Sequence, residues 1–342
     1  FAINQFTITA SAGVNGTISP SGAIVVNSGS NQTFTMTPNA SFHVDSLLID
    51  EVNQGQLASF TFTNVTVNHT IRVVFAINQF TVTSSAGVNG TISPLGAVIV
   101  NFGSNQSFTL TPNTNFHVDS LIVDGANQGQ LTSFTFTNVT TNHSIRAVFA
   151  IDQFPVIASA GANGIISPNG TVMVNLGSNQ TFTIVPNTGF HVDSLFVDGV
   201  NQGSLITFTF TNVTAAHTIS AVFAINQFTI TATAGVNGTI SPSGAVIANF
   251  GSNQIFTMTP NASFRVDSLI VDGANQGQLT TFTFTNVTAS HTIRAVFAIN
   301  QFTITASAGV NGTISPSGAI VVNSGLNQTF TMTPTASFHV DS

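Results

Sequence analysis

The sequence predicts an all-β fold: a tandem array of small β-sandwich-like modules forming a stiff rod. Three observations carry that reading: a 74-residue internal repeat, apolar alternation with a period of two, and turn chemistry at short, regular intervals. The hexamer FAINQF begins at Phe1, Phe75, Phe223 and Phe297, and the variant FAIDQF begins at Phe149. Every interval is free of insertion or deletion. The frame defines repeats at 1–74, 75–148, 149–222 and 223–296, with a partial repeat at 297–342. Residues 1–46 and 297–342 differ only at Ser30 against Leu326 and Asn39 against Thr335, which marks recent duplication. Both ends are expected to be cuts through a longer array.

Within a repeat the strands follow in order. Phe6, Ile8 and Ala10 alternate with Thr7, Thr9 and Ser11. Phe34 and Met36 alternate with Thr33, Thr35 and Thr37, and Phe60 and Phe62 with Ser59, Thr61 and Thr63. Ile71, Val73 and Phe75 close the unit. One apolar and one hydroxylic face is the pattern of a half-buried strand. The density of Gly and Asn leaves no window for a helix. Asn15-Gly16 reads as a type I′ hairpin dipeptide, since both central residues of that turn need positive φ. Pro20-Ser21-Gly22, Ser28-Gly29-Ser30-Asn31, Pro38-Asn39 and Asn53-Gln54-Gly55 mark the other turns, giving about six short strands. From His69 to Ala86 there is no Gly or Pro, yet the apolar phase slips from Phe75 and Ile77 to Phe80 and Val82. The expected cause is one strand ending at Asn78-Gln79 as the next module opens; a bulge within one sheet would give the same slip. Phe6, Phe34, Phe42, Phe60, Phe62 and Phe75 are the expected core aromatics.

Composition removes whole classes of function. Only 4% of the 342 residues are charged, with four Arg, no Lys and 11 Asp plus Glu, against about 25% in ordinary globular domains. Such a chain lacks the basic surface that a phosphate backbone requires, so nucleic acid is not an expected partner. Without Cys there are no disulfides, thiol catalysis or zinc–thiolate sites. No apolar run approaches the roughly 18 residues of a membrane-spanning helix. The N-terminal residues show no signal-peptide pattern, and zero Tyr and Trp weigh against a transmembrane barrel. No catalytic triad spacing, phosphate loop or close carboxylate pair occurs, so no enzyme is expected.

The order of landmarks resembles that of the divergent InlB B-repeats of surface proteins. The matching residues are Asn15-Gly16, Pro20, Gly22, Pro38, Phe42-His43-Val44, Asp50, Phe62, Asn64-Val65-Thr66, His69-Thr70-Ile71 and Phe75, and they cover every repeat. Where such families commonly carry Tyr before the His, this chain has Phe42, Phe116, Phe190, Phe264 and Phe338. The resemblance implies a secreted or surface-anchored protein, often a stalk or adhesin, and supplies no catalytic residue.

Several residues are candidates for sites. His43 and Asp45 share a face of a regular strand and recur as His117/Asp119, His191/Asp193 and His339/Asp341, but the fourth repeat has Arg265 with Asp267. That exchange disfavours a metal and favours a cross-strand polar pair. His69, His143, His217 and His291 are expected to satisfy turn backbone groups, the alternative being a ligand role together with His43. Asp50, Asp124, Asp198 and Asp272 read as turn residues; no cofactor is expected, and calcium is the one ion worth testing. The Thr-x-Thr rows suggest a hydroxyl ladder such as ice-binding faces carry, but their placement on several unaligned strands favours ordinary solvent faces. Of 17 Asn-x-Ser/Thr sequons, the candidate glycosylation sites include Asn15, Asn31, Asn64 and Asn68, and Asn138, Asn212 and Asn286 repeat the position of Asn64. The function expected is an extracellular structural rod, stalk or self-assembling filament. The alternative is a multivalent adhesin for cell-surface glycans or another surface ligand.

Overall fold

A computed structural model describes residues 1–341. Its contacts divide the chain into two compact units, residues 1–153 and residues from 154 onward. Two modules make up the first unit; the second holds two more and the partial repeat.

The first module has eight strands, more than the six expected: β1 (Gln5–Ala12), β2 (Gly16–Ser19), β3 (Gly22–Asn27), β4 (Gln32–Pro38), β5 (Phe42–Ile49), β6 (Val52–Asn53), β7 (Ser59–Phe62) and β8 (His69–Ile77). They form a five-stranded sheet in the order β3-β1-β8-β5-β6 and a three-stranded sheet in the order β2-β4-β7. All pairings are antiparallel except β1 with β8, which run parallel. The second, third and fourth modules repeat this topology, and no helix occurs among the described residues.

The alternation sorts residues between the two sheets and the solvent. Ile8, Phe34, Leu47, Ile71 and Val73 are fully buried, and Phe62 and Phe75 nearly so, while Phe6, Phe42 and Phe60 pack half-buried against them. Phe62 meets Phe34 edge-on at 6.0 Å and Phe60 at 5.0 Å, the geometry that aligns a ring's positive edge with its neighbour's negative face. Each of the other three complete modules encloses its own cluster of the same kind. Phe75 lies inside β8, so the frame that opens at each FAINQF runs through the closing strand of the preceding core.

The phase slip is a change of sheet. β8 ends at Ile77, and β9 (Gln79–Ala86) begins after a single residue and belongs to the next five-stranded sheet. Phe75 packs in the first core, whereas Phe80 and Val82 pack in the second.

Asn15-Gly16 departs from the hairpin reading. β1 pairs with β3 and β8, and β2 pairs with β4, so the dipeptide carries the chain from one sheet to the other. Only Asn15 has positive φ, at 77°. Gly16 is required for a different reason: the Phe75 ring lies where its Cβ would be, with ring atoms at 2.4–2.7 Å.

Candidate functional site

The recurrent polar geometry lies at two places in each module, the junction and the end of β5. At the first junction, the Asn78 N–H donates to the Ser41 carbonyl at 2.8 Å, and the Asn78 carbonyl accepts from the Phe102 N–H at 2.8 Å. Its side-chain oxygen lies 3.1 Å from His43 Nδ1. Ser41 and His43 belong to one module and Phe102 to the next, so the connecting residue is tied to both. Asn226 repeats all three contacts with Gly189, Phe250 and His191. Asn300 bonds Ser263 and Ser324 in the same way. At the remaining position the FAIDQF variant matters: Asp152 bonds the Asn115 carbonyl through its N–H, and its carboxylate lies 3.1 Å from His117 Nδ1. In the fourth module Arg265 takes the place of His and donates to the Ile299 carbonyl.

The second place joins Asp50 to His69, 19 residues apart. Asp50 follows β5 in a left-handed conformation, φ 48°. One carboxylate oxygen accepts the Thr70 N–H at 2.7 Å, and the other lies 2.7 Å from His69 Nδ1. The His69 ring lies on Phe62, centroid to centroid 4.7 Å. Asp124, Asp198 and Asp272 repeat the arrangement with His143, His217 and His291. Partial burial pushes the Asp50 carboxyl up, but the Thr70 N–H and the hydrogen bond and charge of His69 outweigh it and hold it below its ordinary value. At Asp272 the Thr292 N–H is the largest influence. A carboxyl depressed in the folded state stabilises the fold above its unfolded pKa, near 3.9, and loses that contribution as pH falls through the folded value. Melting temperature, followed by circular dichroism, should therefore fall below about pH 4. Replacing the four residues by Asn should flatten this acid limb and cost about 1 kcal/mol or less per module at neutral pH, the carboxylates being nearly half exposed. An unchanged acid limb in that variant would rule out the carboxylates as its source.

Other expectations changed with the structure. A bulge at Asp45, between Val44 and Ser46 in the register, leaves this residue without a cross-strand partner. Asp45 is therefore not joined to His43 and instead accepts the Ser46 hydroxyl at 3.3 Å. The polar partner of His43 is Asn78. His339 and Asp341 lie exposed in the partial repeat. His69 serves a carboxylate rather than backbone groups. Among the described residues no group of three or more His, Asp or Glu side chains is placed to hold a metal.

The hydroxyl rows of three strands are aligned, while the Thr7 and Thr9 row of β1 lies in the other sheet. In the sheet of β2, β4 and β7, Thr17 faces Thr37, Thr35 stands between Ser19 and Ser59, and Thr33 faces Thr61 with their hydroxyls 2.9 Å apart. The sequon asparagines differ in setting. Asn15 is half-buried in its turn, and Asn31 is exposed and accepts the Asn64 N–H through its side-chain oxygen. Asn68 accepts the Thr7 N–H at 2.8 Å. Asn64, Asn138, Asn212 and Asn286 are exposed, each at positive φ of 50–53°. The linking role of Asn78 could have been suspected from its place at the phase slip. The Asp50–His69 pair had no comparable sequence signal.

Two-sheet modules with separate cores, joined strand to strand, define a tandem all-β repeat protein. Residues 6–79, 80–153, 154–227 and 228–301 each match the divergent InlB B-repeat domain, and the chain belongs to that family. No curated protein sequence matches it. Among solved structures, the Bacillus anthracis TIE protein is similar at 9% identity over 80% of this chain, with a TM-score of 0.30. The chain spans 62% of the length of that protein. The four N-terminal Ig domains of Dscam1 isoform 4.44 align at 8% identity over 85% of this chain and 97% of theirs, TM-score 0.12. A Bacteroides ovatus mixed-linkage glucan utilisation protein, SGBP-B, solved with a heptasaccharide, aligns at 9% identity over 86% of this chain and 94% of its own, TM-score 0.12. No helix among the described residues is long and apolar enough to cross a membrane.

Proposed function

We propose that this chain is an extracellular, non-enzymatic structural repeat protein whose modules form a stiff surface rod or stalk that associates laterally into filaments. The observation that carries the reading is the junction. A flexible array needs a linker, whereas here β8 passes to β9 through Asn78 alone, and that residue is bonded to both of its modules.

Lateral association is supported by β3. It is an edge strand of six residues in every complete module, with no charge, proline or bulge to blunt it. Its exposed centre is apolar each time: Val25 at 59% exposure, Ile99 at 58%, Met173 at 52% and Ile247 at 55%. A second copy carries the same edge in each of its complete modules, so weak contacts can multiply between copies. With so few ions, little charge needs desolvating. Glycans on Asn64, Asn138, Asn212 and Asn286 would supply the hydration that the missing charges do not.

Electron microscopy and light scattering test the assembly. The native chain should form concentration-dependent filaments, and Lys at Val25, Ile99, Met173 and Ile247 should leave monomers with unchanged circular dichroism. A native chain that stays monomeric at all concentrations would sink the filament reading. The second reading, an adhesin, is favoured by the aligned Ser/Thr face, which offers an uncharged lattice of hydroxyls to a sugar. It predicts that a glycan array captures the chain and that Thr33→Val with Thr35→Val weakens capture.

A further inference from the structure

The topology assigns a mechanical role to each module: we infer that the parallel pair β1–β8 is a shear clamp that lets the chain bear tension. The biological use of the clamp rests on the structural reading above, but the clamp itself is a property of one module, and its test does not need assembly.

Tension along the chain enters a module through β1 and leaves through β8. These two strands are immediate neighbours and run parallel, with Ile8 opposite His69, Thr9 opposite Thr70, Ala10 opposite Ile71, Ser11 opposite Arg72 and Ala12 opposite Val73. Pulling one strand by its start and the other by its end slides them along each other. Ladder hydrogen bonds run across strands, so the load falls on all of them together. An antiparallel hairpin pulled at its open end yields one pair at a time.

The clamp is also shielded. In the order β3-β1-β8-β5-β6 both strands are interior, so neither presents an open edge to water. Ile8, Ile71 and Val73 seal its inner face at 0% exposure. Hydrogen bonds protected from water are harder to exchange for solvent.

Both ends of the ladder are extended. The Gly13 N–H reaches the Val73 carbonyl at 2.8 Å, and the Thr7 N–H reaches the side-chain oxygen of Asn68 at 2.8 Å. Thr81 and Asn142 repeat the second contact at 2.8 Å, and Thr229 and Ser290 at 3.2 Å. In the third module the equivalent positions are Pro155 and Ala216. Donor and acceptor are missing together, which avoids leaving either one unsatisfied. The third module is thus one bond short in its clamp and is the weakest of the four under load.

The chain has no cysteine, so introduced pairs make unambiguous handles for single-molecule pulling. Gln5→Cys with Ile77→Cys loads the clamp of the first module in shear. Gln5→Cys with Asn27→Cys loads the antiparallel β1–β3 pair at the end where both handles lie, these two residues being register partners. At one loading rate, the first variant should rupture at several times the force of the second. The second variant should release about 7–8 nm of chain, the extended length between its handles. Equal rupture forces in the two geometries would overturn the clamp. Pulled by its ends, the whole chain should show four ruptures, each freeing somewhat less than the about 24–27 nm of a fully extended 74-residue module. Pro155→Thr together with Ala216→Asn should raise the lowest of the four forces. A lowest force unmoved by that pair would refute the contribution of the side-chain bond and of the third module as the weak point. A chain that assembles into no filaments yet ruptures in this pattern would remove the lateral reading and leave the clamp standing.

Discussion

Phe34→Ala should unfold the first module, or bring it to the edge of unfolding, while the modules beyond it stay native. Phe34 has no solvent exposure and packs edge-on to Phe62. Removing a buried Phe costs about 3–5 kcal/mol, from lost burial and the cavity left behind. A 74-residue module holds only about 4–11 kcal/mol at ordinary stability per residue, so a single ring accounts for much or all of it. The loss should stop at the junction. The first core closes with Phe75, and the second is a separate cluster that begins with Phe80 and Val82. With no Trp or Tyr for fluorescence, hydrogen exchange read by mass spectrometry is the suitable probe. Protection should collapse across residues 5–77 and persist across 80–151. Joint collapse over both segments would mean that the two modules of this unit fold as one.

The parts of the fold that sequence disclosed were those set by local alternation. Period two fixes which face of a strand is buried, and it picked out Phe34, Phe62 and Phe75 without reference to any partner. It also located the junction, because a slip at Asn78 cannot leave Phe75 and Phe80 in one core on a regular strand. Alternation does not say which strand lies beside which. The pairing of β1 with β3 and β8 in place of β2, and the alignment of the Thr rows of β2, β4 and β7, are set by long-range packing that a period of two leaves undetermined. The bulge at Asp45 belongs to the same class: it separates His43 from Asp45 although a regular strand would join them.

The candidate sites show the same limit more sharply. Asp50 and His69 each read from sequence as a residue with a role of its own, but nothing in a 19-residue separation marks them as partners. One long-range contact did leave a trace. Thr7 and Asn68 become Pro155 and Ala216 in the third repeat, a joint loss that matches the contact seen in the other repeats. Comparing repeats within a single chain can therefore expose contacts that each repeat alone conceals.

Gly16→Ala should cost the first module about 1–3 kcal/mol from overpacking, against about 0.4–1 kcal/mol regained by stiffening the unfolded chain. Two explanations of this glycine predict different behaviour in a second background. As a central residue of a type I′ turn, Gly16 would be needed for positive φ, and the cost would persist whatever stood at position 75. In the structure the positive φ belongs to Asn15, and Gly16 is where the Phe75 ring approaches the backbone, its atoms 2.4–2.7 Å from a Cβ placed there. That ring is buried in the closing strand at 8% exposure, so it has little room to move aside. The same approach recurs between Gly90 and Phe149, Gly164 and Phe223, and Gly238 and Phe297. A double-mutant cycle with Phe75→Leu separates the alternatives. If the ring is the obstacle, the shorter Leu side chain removes the penalty, and Gly16→Ala becomes neutral or slightly stabilising in that background. If backbone strain is the obstacle, urea midpoints will show the same loss with Phe or Leu at position 75. The structure requires the first outcome, and with it the conclusion that this Asn-Gly dipeptide is retained for the packing of the closing strand.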